Sequence, residues 1–86
     1  MTTRQRINAL QQEAAQHGDT DQVERCETAS AYDLYDYDTN EELELDDLDC
    51  DVVEWVDAVC DSVAEVFDNQ GTGAVRLAGR TVYAQE

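Results

Sequence analysis

The sequence predicts a small α+β fold that is mostly helical. It comprises an antiparallel helix pair, one long acidic amphipathic helix and a short C-terminal β-hairpin. Three observations carry this reading. Apolar residues recur at steps of three and four from Leu45 through Leu48, Val52, Val56, Val59 and Val63 to Val66, the spacing that lines one side of an α-helix. Before that run, two shorter stretches with helical spacing meet at Gly18. After it, two short extended runs flank Ala78-Gly79, a hairpin signature.

The first helix is expected over residues 3–17. Thr2 or Thr3 caps it, and Ile7, Leu10 and Ala14 give it an apolar face. Gly18 stops it, because glycine readily takes the left-handed conformation that closes a helix. Asp19-Thr20-Asp21 then offers a new cap, with Gln22 and Glu24 at box-like distances. The second helix, residues 20–31, turns Val23, Cys26 and Ala29 or Ser30 inward. Residues 31–44 stay open between a strand, an extension of the second helix and a loop. Tyr35 and Tyr37 alternate with Asp36 and Asp38, which suits a strand, and Asp38-Thr39-Asn40 is a turn in each case.

The third helix is expected over residues 46–68. Val53, Cys60 and Phe67 widen its apolar stripe, and Trp55 lies beside it in partial core packing. On its other side Asp47, Asp51, Glu54, Asp61, Glu65 and Asp68 form a line of carboxylates in which Ala58 fills the single gap. At 1.5 Å per residue that line would run about 30 Å. Asn69-Gln70-Gly71 ends the helix, and the hairpin over residues 74–84 covers one end of the core. The 86 residues are expected to make one domain with a small core.

Charge says most about function. The chain has 21 acids, five arginines and no lysine, a net of −16. Residues 1–25 carry Glu13, Asp19, Asp21 and Glu24 against Arg4, Arg6 and Arg25, a net of −1. Residues 76–86 carry Glu86 against Arg76 and Arg80, a net of +1. The excess therefore lies in residues 26–75, where 16 acids meet no cation. Repulsion on that scale opposes a compact fold, so the field is expected to serve a purpose. Direct nucleic-acid binding is excluded, because this surface repels phosphates.

Catalysis has few candidates, and no enzyme is expected. His17 is the one histidine and sits where a solvated residue favours a helix C-terminus. Gly71-Thr72-Gly73 follows a helix and does not lead into one, unlike a phosphate loop. Cys26, Cys50 and Cys60 have no metal-ligand spacing and read as reduced thiols of an intracellular protein. Their carboxylate neighbours are expected to keep them protonated. No cofactor or membrane segment is expected. Asp36-x-Asp38-x-Asn40, with Leu43 and Asp47, follows part of a calcium-loop pattern. Glu41 stands where that loop needs glycine, and Asp47 where it needs a bidentate glutamate, which leaves a weak cation site as an alternative. Tyr32, Tyr35 and Tyr37 either stack in a basic partner's groove or pack under the acidic loop.

Carboxylates every three or four residues on a rigid helix lie about 5–6 Å apart, close to the phosphate spacing along one DNA strand. In its size, its lack of motifs and its cation-free block from Glu27 to Asp68, the chain resembles the small acidic DNA mimics of phages and mobile elements. Those proteins include anti-CRISPR and anti-restriction inhibitors. The resemblance implies a stoichiometric inhibitor in the cytoplasm of a host bacterial cell, acting as a monomer or homodimer. It would block the DNA-binding surface of a basic nucleic-acid-binding protein or complex. The expected partner-binding residues are Asp33, Asp36, Asp38, Glu41, Glu42, Glu44, Asp47, Asp51, Glu54, Asp61, Glu65 and Asp68. The competing reading is an acidic interaction module of halophile type, whose charge serves solvation.

Overall fold

The computed structural model describes residues 2–69 and 71–85. The fold is α+β and mostly helical, with three α-helices and one antiparallel sheet among the described residues. Helix α1 spans Thr3–Gln16 and α2 spans Thr20–Ser30. Thr2 caps α1 in a full capping box: its hydroxyl accepts the Gln5 N–H at 3.1 Å, and its own N–H donates to Gln5 Oε1 at 2.9 Å. Gly18, at φ 72°, closes the helix. The N–H of Asp19 reaches Ala14 O and that of Gly18 reaches Ala15 O. Asp19 then caps α2 through the Gln22 N–H at 3.1 Å. The two helices therefore meet at Gly18.

Residues 31–44 resolve into strands. β1 (Asp33–Asp36) turns through residues 37–40 into β2 (Glu42–Leu43). Asn40 takes a left-handed φ of 61°, which asparagine tolerates better than most residues. The hairpin follows, with β3 over Val75–Leu77 and β4 over Arg80–Gln85. All four strands share one sheet in the order β2-β1-β4-β3, with Leu34 opposite both Leu43 and Ala84 and with Val75 opposite Val82. The C-terminal hairpin is thus half of a sheet and not a separate cover on the helices.

The third helix departs from the expected span. α3 runs from Val52 to Asn69, and Leu45–Asp47 forms a single 3₁₀ turn ahead of it. Leu48 is extended, at φ −121° and ψ 146°. Aspartate competes with the backbone for hydrogen bonds and favours caps over helix interiors, and four aspartates crowd residues 46–51. Asp47 Oδ2 accepts the Glu44 N–H at 2.9 Å, and Asp51 Oδ1 accepts the Glu54 N–H at 3.0 Å. Leu45 and Leu48 still reach the core, but from an irregular segment. Gln70, the middle of the expected helix stop, lies outside the described residues.

The core lies between the helices and one sheet face. Trp55, Val56, Ala58 and Val59 of α3 pack with Ile7, Cys26, Ala29, Leu34, Leu43, Leu77 and Val82. The buried arc of α3 is turned relative to the expected stripe. Trp55 and Ala58 are interior, whereas Val53, Val66 and Phe67 are 41%, 42% and 71% exposed. No described helix is long and apolar enough to cross a membrane.

Candidate interaction surface

Folding distributes the expected acidic residues over several local tasks. Asp33 and Asp36 lie on β1, and Asp38 and Glu41 on the turn after it. Glu42 is on β2, and Glu44 and Asp47 are at the 3₁₀ turn. Asp51 precedes α3, which carries Glu54, Asp61, Glu65 and Asp68. The continuous carboxylate line from Asp47 to Asp68 does not form. Asp47 and Asp51 stand outside the helix, and Ala58 is 5% exposed and belongs to the core. The solvent side of α3 is mixed, with Val53, Ala64 and Phe67 exposed among Glu54, Asp61 and Asp68.

Four arginines are drawn onto carboxylates. Arg4 pairs with Asp33 at 3.7 Å, Arg6 with Asp46 at 3.3 Å, Arg25 with Asp57 at 2.7 Å and Arg80 with Asp36 at 3.3 Å. Each pair joins a nearly neutral end of the chain to the acidic block. These partners were invisible in the sequence, where the block contains no cation. Most of the pairs are solvent-exposed, so each contributes little to stability. Their larger effect is to consume cations. Arg76 bonds instead to Thr81 Oγ1 and Gly79 O. The exposed field that remains includes Asp38, Glu41, Glu42, Glu44, Asp49, Glu54, Asp61 and Asp68 together with Glu13 of α1 and Asp21, Glu24 and Glu27 of α2.

Asp36 is the exception among the expected binding residues, at 8% exposure. Its Oδ1 accepts the N–H groups of Asp38 and Thr39 at 2.9 and 3.0 Å, while Oδ2 faces Arg80. The Thr39 N–H foremost, then those of Asp38 and Arg80, hold this carboxyl below its ordinary value against the opposing effect of burial. Asp36 is therefore a turn-building group whose oxygens are engaged internally. In the calcium-loop pattern, that first ligand position is filled by a guanidinium and two amides. Among the described residues no group of three or more His, Cys, Asp or Glu side chains is arranged to hold a metal ion.

On the outer sheet face Tyr35 and Tyr83 are direct cross-strand partners, with ring centroids 5.8 Å apart, and Tyr37 meets Tyr83 edge-on at 6.0 Å. The Tyr83 hydroxyl donates to Asn40 Oδ1. Tyr35 and Tyr37 thus pack against the end of the chain beside the acidic turn. Burial, then Glu42 and Asp33, push the Tyr35 hydroxyl above its usual pKa. The three thiols are free, and burial raises each of them. Nearby carboxylates add to the effect at Cys50 and Cys60, which works against nucleophilic chemistry.

The sequence reading missed the cleft between α2 and α3. It is about 650 Å³ in volume and open to solvent. Asp21 and Glu24 line it from α2, and Cys60, Val63, Ala64, Phe67 and Asp68 from α3. The signal available was the exposed side of the second helix, where Asp21, Glu24 and Thr28 share one face at helical spacing. Comparison with known proteins yields no matching family model, curated relative or solved structure.

Proposed function

We propose that the chain is a stoichiometric inhibitor that presents DNA-like charge and occupies the nucleic-acid-binding surface of a bacterial defence complex. The observation that carries this reading is the pairing of Arg4, Arg6, Arg25 and Arg80 within the fold, which leaves a solvent-facing excess of carboxylates. Proteins that bind duplex DNA do so largely by setting Lys and Arg against phosphates. A rigid body with unpaired carboxylates competes for those same side chains, and its field speeds the encounter. The longest Cα extent, 38 Å, is close to one helical turn of duplex DNA, about 34–36 Å. No catalytic group and no cofactor enters this mechanism.

The test is affinity capture from nuclease-treated bacterial lysate, with elution by short duplex DNA. A basic nucleic-acid-binding protein released by DNA supports the reading. Reversal of Glu41, Glu54 and Asp61 together to lysine should abolish that capture. These three carboxylates are exposed, whereas Asp47 and Asp51 hold local backbone and would confound the result.

One observation favours the halophile-type reading. Exposed acids also occur on α1, at the cap of α2 and on α2 itself, at Glu13, Asp19, Asp21, Glu24 and Glu27. That reading requires the chain to unfold at low salt and refold in concentrated KCl. A protein already folded at about 0.15 M salt, where exposed charges are screened beyond roughly 8 Å, argues for the inhibitor.

A further inference from the structure

The cleft between α2 and α3 is lined by two kinds of group of opposite character. Cys60, Val63, Ala64 and Phe67 supply the apolar lining. Asp21 and Glu24 stand on one side and Asp68 on the other. Among the described residues the one cation lining the cleft is Arg25, and Asp57 holds it through both Nε at 3.2 Å and Nη2 at 2.7 Å. Phe67 is 71% exposed and Val66 is 42% exposed. Phe67 also borders a second depression with Tyr32, Val66 and Ala84, so it stands as a ridge between two concave surfaces. Phenylalanine is among the aromatic residues enriched at protein interfaces.

From this juxtaposition we infer that the α2–α3 cleft receives a cationic amphipathic helix of a partner protein. The helix lays its apolar side on Val63, Ala64 and Phe67, with Lys or Arg flanking toward Asp21, Glu24 and Asp68. An apolar lining flanked by carboxylates from both helices fits the helix-in-groove mode. The charge selects among occupants. A second copy of this chain, at net −16, would bring carboxylates against carboxylates. An anionic lipid surface or a nucleic acid meets the same repulsion, and the guanidinium of Arg25 is already engaged. The inference stands apart from DNA mimicry, because its apolar contact at Phe67 has no counterpart in a duplex.

The experiment uses two synthetic peptides of leucine and lysine, each of roughly 14 residues. One gathers leucine on one helical side. The other has the same composition scrambled. Labelled peptide is titrated with the full chain at moderate salt, and amide shifts are mapped in parallel. The amphipathic peptide should bind about tenfold more tightly than its scramble, with shifts confined to α2 and the C-terminal half of α3. Phe67→Ser should remove that preference, and its exposure lets the fold survive, as circular dichroism will show. Asp21→Asn with Glu24→Gln should weaken both peptides. Equal binding of the two peptides, shifts elsewhere, or a preference that survives Phe67→Ser overturns the inference. So does a Phe67-dependent dimer in sedimentation, which makes a second copy the occupant. Against a captured target, loss of binding on Glu41, Glu54 and Asp61 reversal but not on Phe67→Ser removes the cleft and keeps the charge reading. The opposite pattern removes the charge reading and keeps the cleft.

Discussion

The Ser62 hydroxyl accepts the backbone N–H of Ala84 at 2.8 Å and donates to the carbonyl of Gly73 at 2.6 Å. By the register that sets Val75 opposite Val82, Gly73 falls opposite Ala84. The side chain of a helix residue thus stands where the next rung of the β3–β4 ladder would be. Gly73 makes room for it: at φ 81°, a Cβ there would come within 3.1 Å of Ser62 Oγ and 3.0 Å of Val66. Ser62 is fully buried, so its removal strands two polar groups. Ser62→Ala is expected to cost about 1–3 kcal/mol, read as a lower urea midpoint with an unchanged slope. An unchanged midpoint would mean that the two backbone groups find other partners.

Asp36 ties stability to acid pH. Its folded pKa is depressed, chiefly by the Thr39 N–H, so its ionised form stabilises the fold above the unfolded value of about 3.9. That contribution is lost as pH falls through the folded pKa. Asp36→Asn should be less stable than the parent chain near neutral pH. The difference should shrink below about pH 4 and vanish once Asp36 is protonated in both states. Taking a difference cancels the contribution of the other carboxylates, whose protonation relieves repulsion. A gap that stays constant down to strong acid would show that the charge of Asp36 is not what matters.

The β3–β4 turn holds a correctable strain. Ala78 and Gly79 sit at φ 52° and 80°, both left-handed, as a two-residue hairpin of this kind demands. Alanine is a poor occupant of that region, at about 1–2 kcal/mol. Ala78→Asn is expected to recover roughly 0.5–1 kcal/mol, which is a rise in Tm of a few degrees for a domain of this size. Calorimetry of the two proteins decides it, and a lower Tm would refute the turn assignment.

Local rules made much of this fold legible. Thr2, Gly18 and Asp19 punctuate the helix pair through contacts only a few residues apart, and Ala78-Gly79 marks its own turn. The beginning of α3 was hidden because Leu45 and Leu48 keep helical spacing while packing from an irregular segment. Spacing reports that a residue is buried, not which backbone buries it. The β1–β2 strands were undecided because what fixes them is distant, with Leu34 pairing to Ala84. The acidic surface was legible as a total and not as a pattern. Asp33, Asp36, Asp46 and Asp57 read as free charge until the fold brought guanidinium groups from the two ends of the chain.

The strand order has a consequence for how the chain reaches its structure. β4 comes last of the four strands in sequence, yet it lies between β1 and β3. Until it arrives, β1 has only the two residues of β2 beside it, Asp36 has no Arg80, and Ser62 has no Ala84. Completing the sheet therefore requires a closure between segments far apart in sequence, a slow class of event. A half-sheet left exposed before that closure would invite self-association. A net charge of −16 would oppose that association, because neighbouring copies repel one another through the same carboxylates that oppose compaction.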